Sequence, residues 1–154
     1  MAGQTEARIV ELGITLPQAA APAGSYVPFT RTGDLLFTSG QIPVGPDGIG
    51  FVGKLGDTMS LEDGQQAARQ CALNILAQAK AALGDLDKII RVVKLVGFVN
   101  STPDFGDQPK VINGASDIMV EILGDRGRHA RSAVGVASLP FGVAVEVEAI
   151  LEVE

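Results

Sequence analysis

The sequence predicts an α+β fold in which helices pack on one face of a mixed sheet. Apolar residues alternate with glutamates from Val143 to Val153, and a period of two is typical of a half-buried strand. Apolar residues recur at helical spacing from Leu61 to Leu83 and from Pro109 to Leu123. The segments follow one another as hairpin, helix, strand, helix, strand, strand, and this order favours a mixed α+β architecture.

Length and composition limit the class of protein. At 154 residues with 46% hydrophobic residues, the chain is expected to form one domain spanning 1–154, with 1–23 as an amino-terminal helix and arm. The net charge of −6 lacks the cationic surplus by which nucleic-acid binders displace counterions. The exception is a local basic patch of Arg126, Arg128 and Arg131. We therefore expect no nucleic-acid partner.

The termini and the single cysteine indicate a protein of the cytoplasm. The amino-terminal segment carries Glu6 and Glu11 and has no long apolar core, so no secretory signal is predicted. No stretch approaches the roughly 20 apolar residues of a membrane span. Cys71 cannot form an intrachain disulfide. Because it lies in the apolar stripe of a helix, it is expected to be a buried structural thiol.

The first third of the chain predicts a short helix, an arm and a hairpin. A helix begins at Thr5 and ends at Gly13, and Pro17 and Pro22 keep the following arm extended against the domain. Strands at 26–31 and 35–40 flank the turn at 32–34, and one more short strand is expected near 49–52. The glycine-rich loop between them lacks the lysine of a phosphate-binding loop.

The remaining elements have clear boundaries. Ser60 caps the long helix, and Gly84 ends it. Residues 89–99 are apolar on both faces, which predicts a central strand that is covered on each side. The second helix runs from Pro109 to Leu123. The last two strands, one opening at Arg131, are joined at 139–142.

Arg131 and Glu146 are the candidate functional pair. A hairpin-like return of the last strand is expected to bring the Glu146 carboxylate towards Arg131, so that a guanidinium and a proton-handling carboxylate share one small-molecule site. Two structural alternatives stay open. In the first alternative, Arg131 has no functional role and is a solvated loop arginine. In the second, Glu146 has none and belongs to a solvated acidic strand face. His129, a loop histidine beside arginines, is expected to be exposed and is left out of the site.

Several motifs, in order along the chain, resemble the RidA/YjgF/UK114 family, also called L-PSP endoribonuclease-like. They are Gly24–Val27, Leu35–Val44 with its SGQIPV run, Leu73–Ile75 in the first long helix, Leu86–Ile90, Ala130–Val134, Leu139-Pro140 and Glu146–Ile150. The resemblance is closest to the longer members, which carry an amino-terminal extension. It implies a chorismate-mutase-like fold of the bacillary type, with a six-stranded mixed sheet, two long helices on one face and a homotrimer with ligand sites in the subunit clefts.

The resemblance also implies an activity and a set of site residues. Family members hydrolyse reactive 2-imino acids to 2-oxo acids and ammonia without a cofactor or metal. Glu146 matches the catalytic glutamate, and Arg131 matches the arginine that holds the substrate carboxylate. The remaining matches to substrate-binding positions are Tyr26, Ser39, Gly40, Asn113 and Ala133.

Ala133 departs from the family pattern, because many members have cysteine there. This departure keeps a second function class open, a non-catalytic trimer that binds a small carboxylate through Arg131. A third class, the endoribonuclease of the family label, is disfavoured by the acidic balance and by the absence of a second histidine.

Overall fold

The computed structural model describes residues 3–22 and 24–154; Met1, Ala2 and Ala23, which belong to the predicted helix-and-arm region, lie outside the described residues. The helices are α1 Gln4–Glu11, α2 Leu61–Leu83 and α3 Gln108–Leu123. The strands are β1 Phe29–Thr32, β2 Leu35–Thr38, β3 Val44–Gly45, β4 Gly48–Ile49, β5 Ile89–Asn100, β6 Ala130–Val136 and β7 Val145–Val153.

Five strands form one mixed sheet in the order β1-β2-β7-β5-β6, in which β5 and β6 are parallel and the other pairs are antiparallel. The expected six-stranded sheet is therefore wrong for this chain. Strands β3 and β4 pair only with each other. Side chains of α2 hold this ribbon, because the Val44 carbonyl accepts hydrogen bonds from Asn74 and Gln70.

The long helices cover one face of the sheet. Helix α2 begins and ends as predicted, with the Asp63 amide donating to the Ser60 Oγ at 3.1 Å and Gly84 in the left-handed conformation at φ 78°. The alternate residues of β7 that face the helices are buried. Cys71 is fully buried, and burial raises the pKa of its thiol. This environment agrees with the predicted structural role.

The opposite face of the sheet lies open in the single chain, and we call it the open face. It carries Glu146, Glu148 and Ile150 of β7, which are half-buried, and the apolar side chains of Phe37 and Val134, which are 37% and 44% exposed. The prediction that β5 is covered on both sides is wrong within one chain. Its apolar residues on this face have no covering layer among the described residues.

The amino-terminal helix and arm lie on the domain, as predicted. The Asp87 carboxylate accepts hydrogen bonds from the amides of Gln4 and Thr5 and from the Thr5 hydroxyl, at 2.6–2.8 Å. These bonds, above all those from Thr5, lower the pKa of Asp87. Further along, Leu12, Ile14 and Leu16 pack against the core. In 3–22 and 24–154, no helix combines the length and apolarity that crossing a bilayer requires.

Candidate functional site

A cavity of about 190 Å³ opens where the chain leaves β2, and we call it the Glu146 cavity. The short strand β2 ends at Thr38, while β7 runs on beside the segment Ser39–Gln41, which bridges to Val147. The residues lining the cavity come from the arm, the chain before β1, the stretch from Ser39 to β3, α2, the loop before β7 and the start of β7. They are Ala20, Ala21, Pro22, Tyr26, Pro28, Ser39, Gly40, Gln41, Ile42, Val44, Asn74, Gln78, Pro140, Phe141 and Glu146.

Glu146 is a half-buried carboxylate without a hydrogen-bond or ion-pair partner among the described residues. Burial, and secondarily the negative charge of Glu148, raises the pKa of Glu146. The backbone of Gly40 lies against this side chain, since a Cβ at Gly40 would be 2.9 Å from the Glu146 Cδ. A side chain at position 40 would clash with the carboxylate, and glycine avoids this clash. A carboxylate with a raised pKa in a cavity is suited to take up a proton.

Ser39 and Tyr26 line the same cavity as Glu146. The Ser39 hydroxyl donates to the Val27 carbonyl at 2.6 Å, so its oxygen keeps lone pairs for a ligand donor. Tyr26 is 55% exposed. The structure thus brings together four of the seven residues that the sequence proposed for the site.

Arg131 belongs to a different polar cluster, between β6 and α3. Its Nη1 donates to the Asn113 Oδ1 at 2.8 Å and to the Ser116 Oγ at 3.1 Å, and its Nη2 donates to the Pro109 carbonyl at 3.3 Å. Nε and the second Nη2 hydrogen have no acceptor among the described residues. Nε and one Nη2 hydrogen are therefore available to a ligand carboxylate.

His129 and Ser116 extend the Arg131 cluster. The Gly127 carbonyl lies 2.6 Å from the His129 Nδ1 and can only accept, so Nδ1 carries the hydrogen of the neutral ring. Nε2 is then an acceptor, 2.8 Å from the Ser116 hydroxyl. The hydroxyl donates to His129 while its oxygen accepts from Arg131. The expectation that His129 is simply exposed is wrong, because the ring is half-buried and both nitrogens are hydrogen-bonded.

Ala133 lies on the same face of β6 as Arg131, two residues along the strand. It pairs with Gly97 of β5, and its side chain packs against the core. Asn113, Arg131 and Ala133 are thus the three predicted residues at the β6 edge of the sheet, separate from the Glu146 cavity.

The two groups lie on opposite faces of the sheet. Paired residues of neighbouring strands share a face. Arg131 pairs with Leu95, which pairs with Ala149 on the helix-covered face, whereas Glu146 pairs with Phe98 on the open face. Strand β5 also separates β6 from β7. The expected meeting of Arg131 and Glu146 by a hairpin-like return is therefore wrong within one chain.

The predicted basic patch does not exist as an exposed cluster in the structure. Arg126 donates to the Ile89 carbonyl and the Thr5 hydroxyl, and Arg131 is bound to α3, so that only Arg128 is largely exposed. Sequence reasoning missed Ser116, His129, Asn74 and Gln78. Their spacing gave no signal, because each acquires its partners through tertiary contacts. Within the described ranges, no three His, Cys, Asp or Glu side chains are grouped to hold a metal ion.

The chain matches a known family over nearly its whole length. The family model with the description "YjgF/chorismate_mutase-like, putative endoribonuclease" covers residues 6–151. Protein TCP17 of Trypanosoma cruzi is 52% identical over 151 residues, which are 97% of this chain and 94% of that protein.

Solved structures agree with this match. The crystal structure of the protein Atu1372 with unknown function from Agrobacterium tumefaciens is 52% identical with a TM-score of 0.90, covering 97% of this chain and 94% of its own. The Escherichia coli protein TdcF with bound serine is 29% identical with a TM-score of 0.64, covering 89% and 94%. The chain therefore belongs to the RidA/YjgF family of chorismate-mutase-like proteins.

Proposed function

We propose that this protein hydrolyses 2-imino acids to 2-oxo acids and ammonia, at sites formed between the subunits of a homotrimer. The observation that carries the proposal is that one chain contains two separate sites, each with only part of what the reaction requires. One presents a guanidinium edge ready for a carboxylate, and the other presents a carboxylate with a raised pKa in a cavity. Neither group has the other within reach in the single chain.

Arg131 would bind the substrate carboxylate. Three acceptors on α3 hold the guanidinium, which leaves Nε and one Nη2 hydrogen to donate to the substrate carboxylate. Lysine could not replace it, because a single ammonium lacks this fork.

Glu146 would act as the general base. Its carboxylate removes a proton from water while the water oxygen bonds to the C2 carbon of the C=N group, whose electron pair moves to nitrogen. Glu146 returns this proton to the nitrogen, and the second water proton then passes from the C2 hydroxyl to the nitrogen as the C–N bond breaks and the C=O bond forms. Water and the 2-imino acid are consumed, and the 2-oxo acid and ammonia are released. The chemistry needs no redox partner.

The open face supports assembly of several copies. Exposed apolar side chains, including Phe37 and Val134, continue across it to Glu146. Large contiguous apolar surface on a folded protein typically marks an interface. A second copy that covers this face would lie next to Glu146, and its edge strand β6 would carry Arg131 to the cleft.

Two further facts support a small amino-acid-like ligand. The chain belongs to the RidA/YjgF family, and the similar protein TdcF was crystallised with bound serine. Serine shares with 2-imino acids the carboxylate and the nitrogen on C2. The net charge of −6 argues against RNA as the substrate.

The test is the decay of an imine generated in situ. An amino-acid oxidase produces the imine from alanine or 2-aminobutanoate, and its disappearance is followed with and without the protein. Arg131→Ala and Glu146→Gln are each expected to lower kcat/KM by roughly 10² or more, since each removes an interaction that strengthens at the transition state.

Arg8→Ala and Glu62→Gln are the matched controls, because both side chains are exposed and neither lines the cavity or contacts the Arg131 cluster. Both should retain wild-type rates. Equal decay with and without the wild-type protein, for every imine tried, would refute the hydrolase.

A second candidate is a trimer that binds a small carboxylate without turnover, and Ala133 is the observation that favours it. Wild-type protein that binds 2-oxobutanoate through Arg131, as shown by calorimetry, but hydrolyses no imine would establish this alternative. If the reaction requires a thiol at this position, Ala133→Cys would restore turnover.

A further inference from the structure

We infer that the amino-terminal arm and Gln78 form a side-chain subsite next to Glu146, which selects substrates whose side chain ends in an uncharged hydrogen-bond donor. The inference rests on the proposed imine hydrolysis and adds the substrate class. It depends on the shape of the Glu146 cavity, on the bonding of one buried amide and on the anchoring of the arm.

The cavity extends from Glu146 to residues that the proposed reaction does not use. Ala20, Ala21 and Pro22 of the arm form one wall, and Ile42 and Val44 contribute further apolar lining. A single water needs about 10–15 Å³ of such space. At about 190 Å³, the cavity therefore holds an organic side chain of several atoms rather than one solvent molecule.

Gln78 is a polar group of the cavity wall, next to the arm, whose acceptor is unused. Its side chain is only 2% exposed, and its Nε2 donates to the Ala20 carbonyl at 2.8 Å. A carbonyl oxygen only accepts, so this bond fixes which end of the amide faces the arm. The Gln78 Oε1 accepts no hydrogen bond, and no fully buried side-chain oxygen among the described residues lacks a partner. Oε1 is therefore open to the cavity.

The neighbouring amide cannot play this part. Asn74 donates to the carbonyls of Ile42 and Val44, and its Oδ1 accepts from Gln70. Its bonds are used in holding the loop before β3. A ligand donor in the cavity thus has two unused amide acceptors to meet, the Oε1 of Gln78 beside the arm and the Oε1 of Gln41, whose Nε2 donates to the Ser39 carbonyl. Of these two amides, Gln78 is the one bonded to the arm.

The arm is held firmly enough to act as a wall. The Asp87 carboxylate binds the first turn of α1, and Leu12, Ile14 and Leu16 fix the chain that follows to the core. The arm then crosses α2 beside Ala77 and reaches the Gln78 bond. Because it is anchored on both sides of the crossing, the arm limits the shape of what the cavity accepts.

The chemistry of the subsite excludes some side chains. A carboxylate would bring a second negative charge into a cavity that already holds Glu146, and it would offer no donor to Oε1. A fully apolar side chain of the same length would leave the Gln78 oxygen dehydrated and unpaired. A side chain that ends in a hydroxyl satisfies both conditions.

The test compares two imines that differ in one terminal group. An amino-acid oxidase generates them from homoserine and from norvaline, whose side chains have the same length and end in a hydroxyl and in a methyl group. Wild-type protein is expected to have the higher kcat/KM for the homoserine-derived imine. Gln78→Leu should lower this preference about tenfold, the ratio that corresponds to one hydrogen bond to a buried acceptor. The rate with the short alanine-derived imine is measured in each protein and serves as the reference to which the rates of the two longer imines are normalised.

Gln66→Leu is the control, because Gln66 is exposed on the same helix and lies outside the cavity. Ala20→Leu provides a variant outside the core. It fills the arm side of the cavity and should slow both longer imines more than the alanine-derived one, whereas Gln18→Leu on the exposed arm should leave these ratios as in wild type.

The outcomes separate the two proposals. Turnover of the alanine-derived imine with no preference for the hydroxyl, or with the same preference in Gln78→Leu, overturns the subsite and leaves the hydrolase intact. Failure to hydrolyse any imine overturns the hydrolase. The affinities of 4-hydroxy-2-oxobutanoate and 2-oxopentanoate, measured by calorimetry in wild type and Gln78→Leu, then decide the subsite by the same comparison.

Discussion

The Arg131 cluster and the Glu146 cavity differ in whether the charged side chain has hydrogen-bond partners within the chain. In the cluster, Asn113, Ser116 and the Pro109 carbonyl hold the guanidinium, and His129 holds Ser116 in turn. In the cavity, Glu146 has no partner among the described residues and its pKa is raised. One region is organised before any ligand arrives, whereas the other keeps a carboxylate that a ligand, a water molecule or a second copy has to satisfy. This difference is what our proposal of a site shared between subunits explains.

The largest effect on imine hydrolysis is expected when chains with the Arg131 substitution and chains with the Glu146 substitution assemble into the same oligomer. Arg131→Ala and Glu146→Gln chains, each almost inactive alone, are co-expressed with different tags and purified as mixed oligomers. If each site takes Arg131 from one subunit and Glu146 from its neighbour, about one quarter of the sites in a random mixture are intact. Imine hydrolysis should then return to about that fraction of the wild-type rate.

Mixing the two purified variants without subunit exchange serves as the control and should stay inactive. Mixed oligomers that remain as inactive as their parents, although the tags prove that both chains are present, would show that the two residues do not share a site.

A smaller effect is expected from loosening the Arg131 cluster. Ser116→Ala removes one acceptor of Arg131 and the link to His129, while Asn113 and the Pro109 carbonyl remain. KM for the carboxylate substrate should rise about 3- to 10-fold with little change in kcat, the size of one hydrogen bond. Steady-state kinetics with the alanine-derived imine measure the two parameters separately.

The variants of His129 sharpen this test. His129→Gln can place an acceptor where Nε2 lies and should keep KM closer to wild type than His129→Leu does. Ser138→Ala, in the exposed loop after β6, is the control. A fall in kcat with unchanged KM would contradict the positioning role.

The smallest effect is expected in the pH profile of the cavity. Burial and the charge of Glu148 both raise the pKa of Glu146, so the base form is lost at a higher pH than for a free glutamate, whose pKa is about 4.3. Glu148→Gln removes only the charge. The acid limb of the kcat/KM profile should therefore move to lower pH in this variant while staying above the free value, because burial remains.

Glu62→Gln, an exposed carboxylate on α2, should leave the limb in place. An acid limb that moves upwards in Glu148→Gln, or does not move at all, would show that Glu146 is not the group that titrates in the free enzyme.

Much of the fold could be predicted because its elements are specified locally. Ser60 and Gly84 mark the ends of α2 by capping chemistry, and the apolar alternation along β7 correctly assigns which residues face the core. The same alternation places Glu146 on the face opposite to Val145 and Val147. Local patterns, however, contain no information on strand order. The sequence therefore suggested that β6 and β7 form a return, although β5 lies between them.

The candidate site was predictable only as a set of residues. Arg131, Asn113, Tyr26, Ser39, Gly40, Ala133 and Glu146 were all proposed from sequence and resemblance. Their division into two groups was not foreseen, because it depends on the register of three strands. His129 was set aside, since a lone histidine gives no sign of a serine thirteen residues earlier that faces it across a turn.

The sequence by itself determined the α+β class, the boundaries of the long helices, the face that each β7 residue occupies and the family. These follow from periodicity, caps and motifs, which act over a few residues at a time. The tertiary structure alone decided that Arg131 and Glu146 lie on opposite faces and that the arm closes the Glu146 cavity against Gln78. Such relations depend on strand order and on contacts between residues far apart in the chain, which only the packed molecule specifies.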